Sequence, residues 1–169
     1  MHVLTVRSLF VALVVALSTA ISVPASAESK ADLERNSRSA LNKLVAKVPT
    51  AKTLNGKAVA VLVFPSITKA GFVVGGQYGE GVLWRGGKAV GYYSTAGASY
   101  VLQAGAQKYG YAMFFMNENA LNALNTAEGF EVGVGPSVVL VDEGMAKSLT
   151  TTTAQNDIYA LIFGQTGLM

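Results

Sequence analysis

The chain of 169 residues contains no cysteine, and its one histidine is His2. The rest of the chain therefore has no disulfides, thiolate nucleophiles, zinc sites built from cysteine and histidine, or Ser-His-Asp triads. With 13 basic and 10 acidic residues the formal net charge is +3, which is too small to indicate nucleic acid as a partner. The length suffices for one domain with a buried core.

Residues 1–27 have the pattern of a secretory signal peptide. Arg7 precedes an apolar run at residues 9–17, and the small residues 25–27 form a cleavage-site motif. The run is shorter than the roughly 20 residues that span a bilayer, so an uncleaved anchor helix is the weaker interpretation. Cleavage after Ala27 leaves a single mature domain, residues 28–169. We therefore expect a periplasmic or secreted protein, either soluble or bound at the periphery of a membrane.

The segment after the signal predicts a basic amphipathic helix over residues 30–48. Ser29 fits the N-cap position, Asp32 follows three residues later, and Pro49 ends the pattern. One face of this helix carries the apolar residues Leu33, Ala40, Leu41, Leu44, Val45 and Val48. The other face and its flanks carry the basic residues Arg35, Arg38, Lys43 and Lys47. The pattern favours packing of the apolar face on a core, and the alternative is a helix that lies on a membrane or docks with its basic edge on anionic headgroups.

The chain beyond residue 57 is predicted to be mostly β-structure. All 18 glycines lie between Gly56 and Gly167, and runs rich in Val, Tyr and Phe alternate with turn residues. The predicted strands are residues 58–64, 71–76, 79–84, 89–93, 100–107, 111–116, 130–134, 138–141 and 158–163. Residues 85–88 predict a hairpin turn, and residues 119–125 a short second helix. These elements favour an α+β fold with a curved or partly closed antiparallel β-sheet and the N-terminal helix packed on it.

The sequence contains no recognisable catalytic motif. The glycine-rich residues 71–81 fit neither the dinucleotide fingerprint nor the phosphate loop, so no nucleotide cofactor is expected. Asp142 and Glu143 are the one adjacent pair of carboxylates in this region, and a charged turn after strand 138–141 explains them better than a calcium or glycosidase site does. We therefore expect a protein without enzymatic activity, cofactor or metal.

Five sequence blocks follow one another between residues 63 and 144. They are residues 63–72 (VFPSITKAGF), 76–81 (GQYGEG), 91–94 (GYYS), 102–107 (LQAGAQ) and 139–144 (VLVDEG). In this order they resemble the SYLF domain family, which includes bacterial exported proteins and eukaryotic proteins that bind lipids or actin. The resemblance covers residues 29–169, nearly all of the mature chain.

The resemblance implies a non-catalytic module that binds anionic phospholipid at a membrane surface. Members of the family use a basic amphipathic N-terminal segment for this purpose, and Lys69 lies inside the signature block. The implied lipid-binding residues are Arg35, Arg38, Lys43, Lys47 and Lys69. Actin is not an expected partner of an exported chain, and a protein-interaction or scaffold module of the cell envelope is the alternative. Similar bacterial domains continue beyond the stretch that matches residues 163–169, so the resemblance implies either a truncated C-terminus or a final strand that is dispensable.

Overall fold

The computed structural model describes residues 28–126, 138–141 and 156–167. The predicted signal peptide, the predicted strand 130–134 and the pair Asp142 and Glu143 lie outside these ranges. The elements in chain order are α1 (Lys30–Lys47), α2 (Pro49–Lys57), β1 (Ala60–Arg85), β2 (Lys88–Phe115), α3 (Glu118–Thr126), β3 (Val138–Val141) and β4 (Ile158–Gly167). The predicted α+β class, N-terminal helix and short helix near residue 120 are confirmed.

Helix α1 begins at the residue that the sequence indicates. The Ser29 side chain accepts a hydrogen bond from the Asp32 backbone N–H at 3.2 Å, and its hydroxyl donates to the Asp32 carboxylate at 2.7 Å. This arrangement satisfies a backbone donor that the first helical turn leaves free. The helix ends at Lys47 with Val48 as its C-cap, and Pro49 then starts α2, a helix that the sequence pattern did not predict. Proline ends one helix and is equally well suited to the first turn of the next, where its missing N–H is not needed.

Strands β1 and β2 form one long antiparallel hairpin, paired from Ala60 with Phe115 to Arg85 with Lys88. The prediction of three separate strands within each arm is therefore wrong. Pro65 and the glycines near residue 71 resemble turn signals, but the strand passes through them with shifts in register. The predicted turn is confirmed, because Gly86 and Gly87 have φ values of +59° and +75°.

The hairpin bends back so that its far half lies beside its near half. Gly79 packs against Ser66 and Ile67, and Gly81 packs against the ring of Phe64. A Cβ atom at Gly79 would lie 3.0 Å from the Ser66 carbonyl oxygen, and one at Gly81 would lie 2.8 Å from Phe64 Cδ1. Both positions therefore favour glycine because the backbone approaches its neighbours closely, rather than because of a positive φ.

The described strands form one mixed sheet in the order β1-β2-β4-β3. Strand β4 is antiparallel to β2 but parallel to β3, so the prediction of a wholly antiparallel sheet is wrong at this edge. Residues 142–157 separate β3 from β4, and a connection of about a dozen residues or more is what parallel neighbours require. Over the described residues the sheet is not closed into a barrel.

Apolar side chains fill both faces of this sheet. Helices α1 and α2 cover one face, where the core includes Leu33, Leu44, Leu54, Val63, Val82, Trp84, Phe114, Tyr159 and Leu161. Helix α3 covers part of the other face, where the core includes Leu62, Phe64, Leu83, Phe115, Leu121 and Ile158. The apolar stripe of α1 is therefore buried against the sheet, and the two flanks of the helix can make other contacts.

Candidate functional site

An open groove of about 490 Å³ runs along one flank of α1. Its helical side is lined by Asn36, Ser39, Ala40, Lys43, Leu44 and Lys47. Glu28 lies at its N-terminal end, and Val48, Pro65, Ser66, Phe163 and Gly164 complete the lining. The groove thus lies between the helix, the irregular segment of β1 at Pro65, and β4.

The helical repeat explains why these polar side chains share the groove. Asn36, Ser39, Lys43 and Lys47 follow one another at three- and four-residue spacing, which places them on one stripe beside the buried stripe of Leu44. The opposite wall depends on Phe163, whose ring lies over Gly110. A Cβ atom at Gly110 would lie 2.2 Å from Phe163 Cε2, so any larger residue at position 110 would displace the ring.

Lys43 and Lys47 bring two positive charges to the same groove. They are one helical turn apart, where Cβ atoms are about 5–6 Å from each other and like charges repel mildly. Both side chains are exposed. Among the described residues the ion pairs are Asp32 with Arg35 and Arg85 with Glu118, so neither lysine has a carboxylate partner there. An anion that bridged the two ammonium groups would relieve their repulsion.

A carboxylate lies at the other end of the groove. Glu28 accepts a hydrogen bond from the side-chain amide of Asn36, which fixes it along α1. The groove therefore has a negative end near Asn36 and a positive end near Lys43 and Lys47.

The two predicted arginines lie outside this groove. Arg38 is on the opposite flank of α1, where its guanidinium lies 4.4 Å from the centre of the Trp84 ring and donates a 2.9 Å hydrogen bond to the Gly87 carbonyl oxygen. Arg35 forms an ion pair with Asp32 at 2.8 Å. The hydrogen bond from Ser29 and the charge of Arg35 lower the pKa of the Asp32 carboxyl. Both arginines thus already have partners within the protein.

Lys69 is also separate from the groove. It lies on β1 opposite Gln107, is partly buried, and does not contribute to the groove lining. Of the five predicted site residues, the structure therefore brings together Lys43 and Lys47. Sequence reasoning missed Asn36 and Ser39, although their helical spacing from the lysines is a usable signal. No signal in the sequence places Phe163 beside α1.

A second polar cluster is found on the Arg38 flank of α1. Tyr92 donates a hydrogen bond to Glu34, and Lys30 Nζ lies 4.9 Å from the centre of the Tyr92 ring. The hydrogen bond to Glu34 is the main cause that raises the pKa of the Tyr92 hydroxyl. These contacts join α1 to β2 and leave few free groups on this side.

The described residues hold no group of three side chains of the types His, Cys, Asp and Glu that could bind a metal ion. None of the helices in the described ranges has the length and hydropathy of a membrane span. No protein-family model matches the chain, and no curated protein matches it significantly.

Proposed function

We propose that this chain is a non-catalytic exported module that binds the surface of an anionic phospholipid membrane, with Lys43 and Lys47 as its main headgroup contacts. The observation that carries the proposal is the open groove in which both lysines lie without carboxylate partners among the described residues. The predicted signal peptide and the resemblance to SYLF domains support the same function.

The lining of the groove suits a phospholipid better than a free ion. The apolar side chains of Leu44, Val48 and Phe163 lie next to the two lysines. A phosphate group can therefore contact the lysines while the adjoining hydrocarbon of the same lipid contacts the apolar side chains. Ser39 and Ser66 add hydroxyl groups that can donate hydrogen bonds to phosphate oxygens.

Electrostatics sets the size of the expected effect. Each lysine near an anionic surface contributes about 1 kcal/mol, so the pair contributes about 2 kcal/mol, or roughly 30-fold in affinity. Exposed charges are screened over about 10 Å at 0.1 M salt, so binding falls as salt rises.

The test is co-sedimentation of the mature residues 28–169 with vesicles of phosphatidylcholine alone or mixed with phosphatidylglycerol, at low and high salt. We expect binding to the mixed vesicles, weakened by salt, and a loss of at least about 30-fold in the double variant Lys43→Glu, Lys47→Glu. The matched control is Lys52→Glu, Lys57→Glu on α2, which makes the same change in charge at two exposed positions outside the groove.

Equal losses in the two double variants would mean that net charge alone drives binding and that the groove has no special part. Absence of binding to either vesicle would overturn the proposal. It would favour the alternative of a protein-interaction or scaffold module in the cell envelope.

A further inference from the structure

Two irregularities of the sheet meet in the wall of the groove that faces α1. On β1, Pro65 and Ser66 occupy the place of one residue in the pairing with β2. On β4, Gly164 and Gln165 do the same in the pairing with the other edge of β2. Such a bulge bends its strand and re-aims the side chains around it. Pro65, Ser66 and Gly164 all line the groove, so the sheet departs from regular pairing where it forms this wall.

The same wall presents apolar surface to the groove. The ring of Phe163 lies over Gly110, and the neighbouring Gly164 has a φ of +59°, a conformation that favours glycine. The side chains of Phe163, Val48 and Pro65 are partly exposed, and all three belong to the groove lining. A hydrocarbon segment that lay along them would remove this apolar surface from water, which is favourable.

Polar groups lie beside this apolar surface. The ammonium groups of Lys43 and Lys47 have no carboxylate partner among the described residues. Ser39 and Ser66 are exposed and add hydroxyl groups to the lining. Lysine ammonium groups form strong, charge-assisted hydrogen bonds with phosphate oxygens. A ligand that matches the whole groove therefore has an anionic end and a hydrocarbon part in one molecule.

The size of the groove limits the hydrocarbon part. Its volume of about 490 Å³ is typical of a site for one small ligand. A phosphate with one hydrocarbon chain fits a site of this size, whereas the two chains of a bilayer phospholipid do not.

We propose that the groove binds a phosphate-headed lipid with a single hydrocarbon chain. The phosphate binds Lys43 and Lys47, and the chain lies along Val48, Pro65 and Phe163. The inference rests on the proposed function for the role of the two lysines. It goes beyond that function because such a ligand binds one to one, without a membrane.

The experiment is calorimetric titration of the mature residues 28–169 with dodecyl phosphate below its critical micelle concentration. We expect one molecule bound per protein, at least about 100-fold more tightly than inorganic phosphate, because several methylene groups leave water. Octyl phosphate should bind at least about tenfold more weakly than dodecyl phosphate for the same reason. Dodecyltrimethylammonium, which joins the same chain to a cationic head, should not bind.

A matched pair of variants on β4 locates the chain. Phe163→Ala should weaken the binding of dodecyl phosphate about fivefold to tenfold, because it removes part of the apolar wall. Ile162→Ala is the control, since Ile162 is an exposed apolar residue of the same strand that points to the opposite face of the sheet. It should leave the affinity unchanged. Circular dichroism verifies that both proteins are folded, and the comparison of chain lengths needs no variant.

Charge reversal locates the phosphate. Lys43→Glu with Lys47→Glu should weaken the binding of dodecyl phosphate at least about tenfold. Lys52→Glu with Lys57→Glu, at exposed positions of α2 outside the groove, should not.

Equal affinities for dodecyl phosphate and inorganic phosphate would overturn the inference, because the chain would then make no contact. Uptake of many molecules per protein would also overturn it, since it would show adsorption of a detergent. Unchanged affinity in the Phe163→Ala protein would place the chain outside the groove. If dodecyl phosphate does not bind while vesicle binding still depends on Lys43 and Lys47, the proposed function stands and the single-chain ligand alone is refuted.

Discussion

A buried hydrogen bond between Ser37 and Trp84 joins α1 to the tip of the hairpin, and its removal gives a quantitative test of the fold. Trp84 Nε1 donates to Ser37 Oγ at 2.8 Å, and both side chains are buried, with exposures of 0% for Ser37 and 7% for Trp84. The Ser37 hydroxyl in turn donates to the Val63 carbonyl oxygen at 3.5 Å, near the limit for a hydrogen bond.

The substitution Ser37→Ala leaves the indole N–H buried without its partner. An unpaired buried donor costs about 1–3 kcal/mol, whereas the loss of one small oxygen atom leaves only a minor void. We expect the free energy of unfolding to fall by about 1–3 kcal/mol, and Tm to fall by roughly 2–4 °C for each kcal/mol. Ser39→Ala, at an exposed serine on the same helix, is the control and should change stability by less than about 0.5 kcal/mol.

Urea unfolding can be followed by the fluorescence of Trp84, since the chain has one tryptophan and it is buried in the folded state. Trp84→Phe, measured by circular dichroism, and the double variant complete a cycle in which we expect a coupling energy of about 1 kcal/mol. The reasoning is refuted if Ser37→Ala unfolds within about 0.5 kcal/mol of the unmodified protein, or if the coupling energy is zero.

Three further outcomes follow from the packing and titration of the described residues. Gly79→Ala should destabilise the fold by about 1–3 kcal/mol, because its Cβ would meet the backbone of β1. Gly56→Ala on α2 is the control, since its Cβ meets no atom within 4 Å and the change should be neutral or stabilising. Thermal unfolding of the two variants gives the comparison. The lowered pKa of Asp32 means that its contribution to stability is present above the unfolded-state pKa of about 3.9 and is lost as pH falls through the folded-state pKa. Asp32→Asn should therefore lower Tm more at pH 6 than near pH 2, and an equal loss at both values would contradict this account. Burial raises the pKa of the Tyr111 hydroxyl. Its contribution to the free energy of unfolding is therefore present below the unfolded-state pKa of about 10 and is lost as pH rises through the folded-state pKa. In urea unfolding at alkaline pH, Tyr111→Phe should lose less stability with rising pH than the unmodified protein.

Local signals in the sequence predicted the parts of the fold that local contacts determine. Ser29, Asp32 and the apolar stripe of α1 predicted that helix to within a residue, and Gly86 and Gly87 predicted the turn. The same kind of signal misled at Pro65, because a residue that often ends a strand can also be accommodated at an irregularity in register. The parallel pairing of β3 with β4 depends on a connection between distant segments, and no local pattern encodes it.

The sequence predicts the part of the candidate site that lies on α1, but not the opposite wall formed by β1 and β4. Helical spacing groups Lys43 with Lys47, but it does not reveal that Arg38 would be engaged by Trp84 and Gly87 from the hairpin. Charge counting treats all the basic residues of α1 as equivalent. Arg35 has a local partner in Asp32 at helical spacing, whereas only tertiary contacts show that Arg38 is engaged and that Lys43 and Lys47 line the groove.

The long hairpin also implies an order of events in folding. At its tip, Arg85 and Lys88 are separated only by Gly86 and Gly87, whereas residues 61–114 lie between the partners Ala60 and Phe115. The entropy lost in closing a loop grows with its length, so pairing that starts at the turn and proceeds outward closes only a short segment at each step. We infer that β1 and β2 join progressively from the glycine turn.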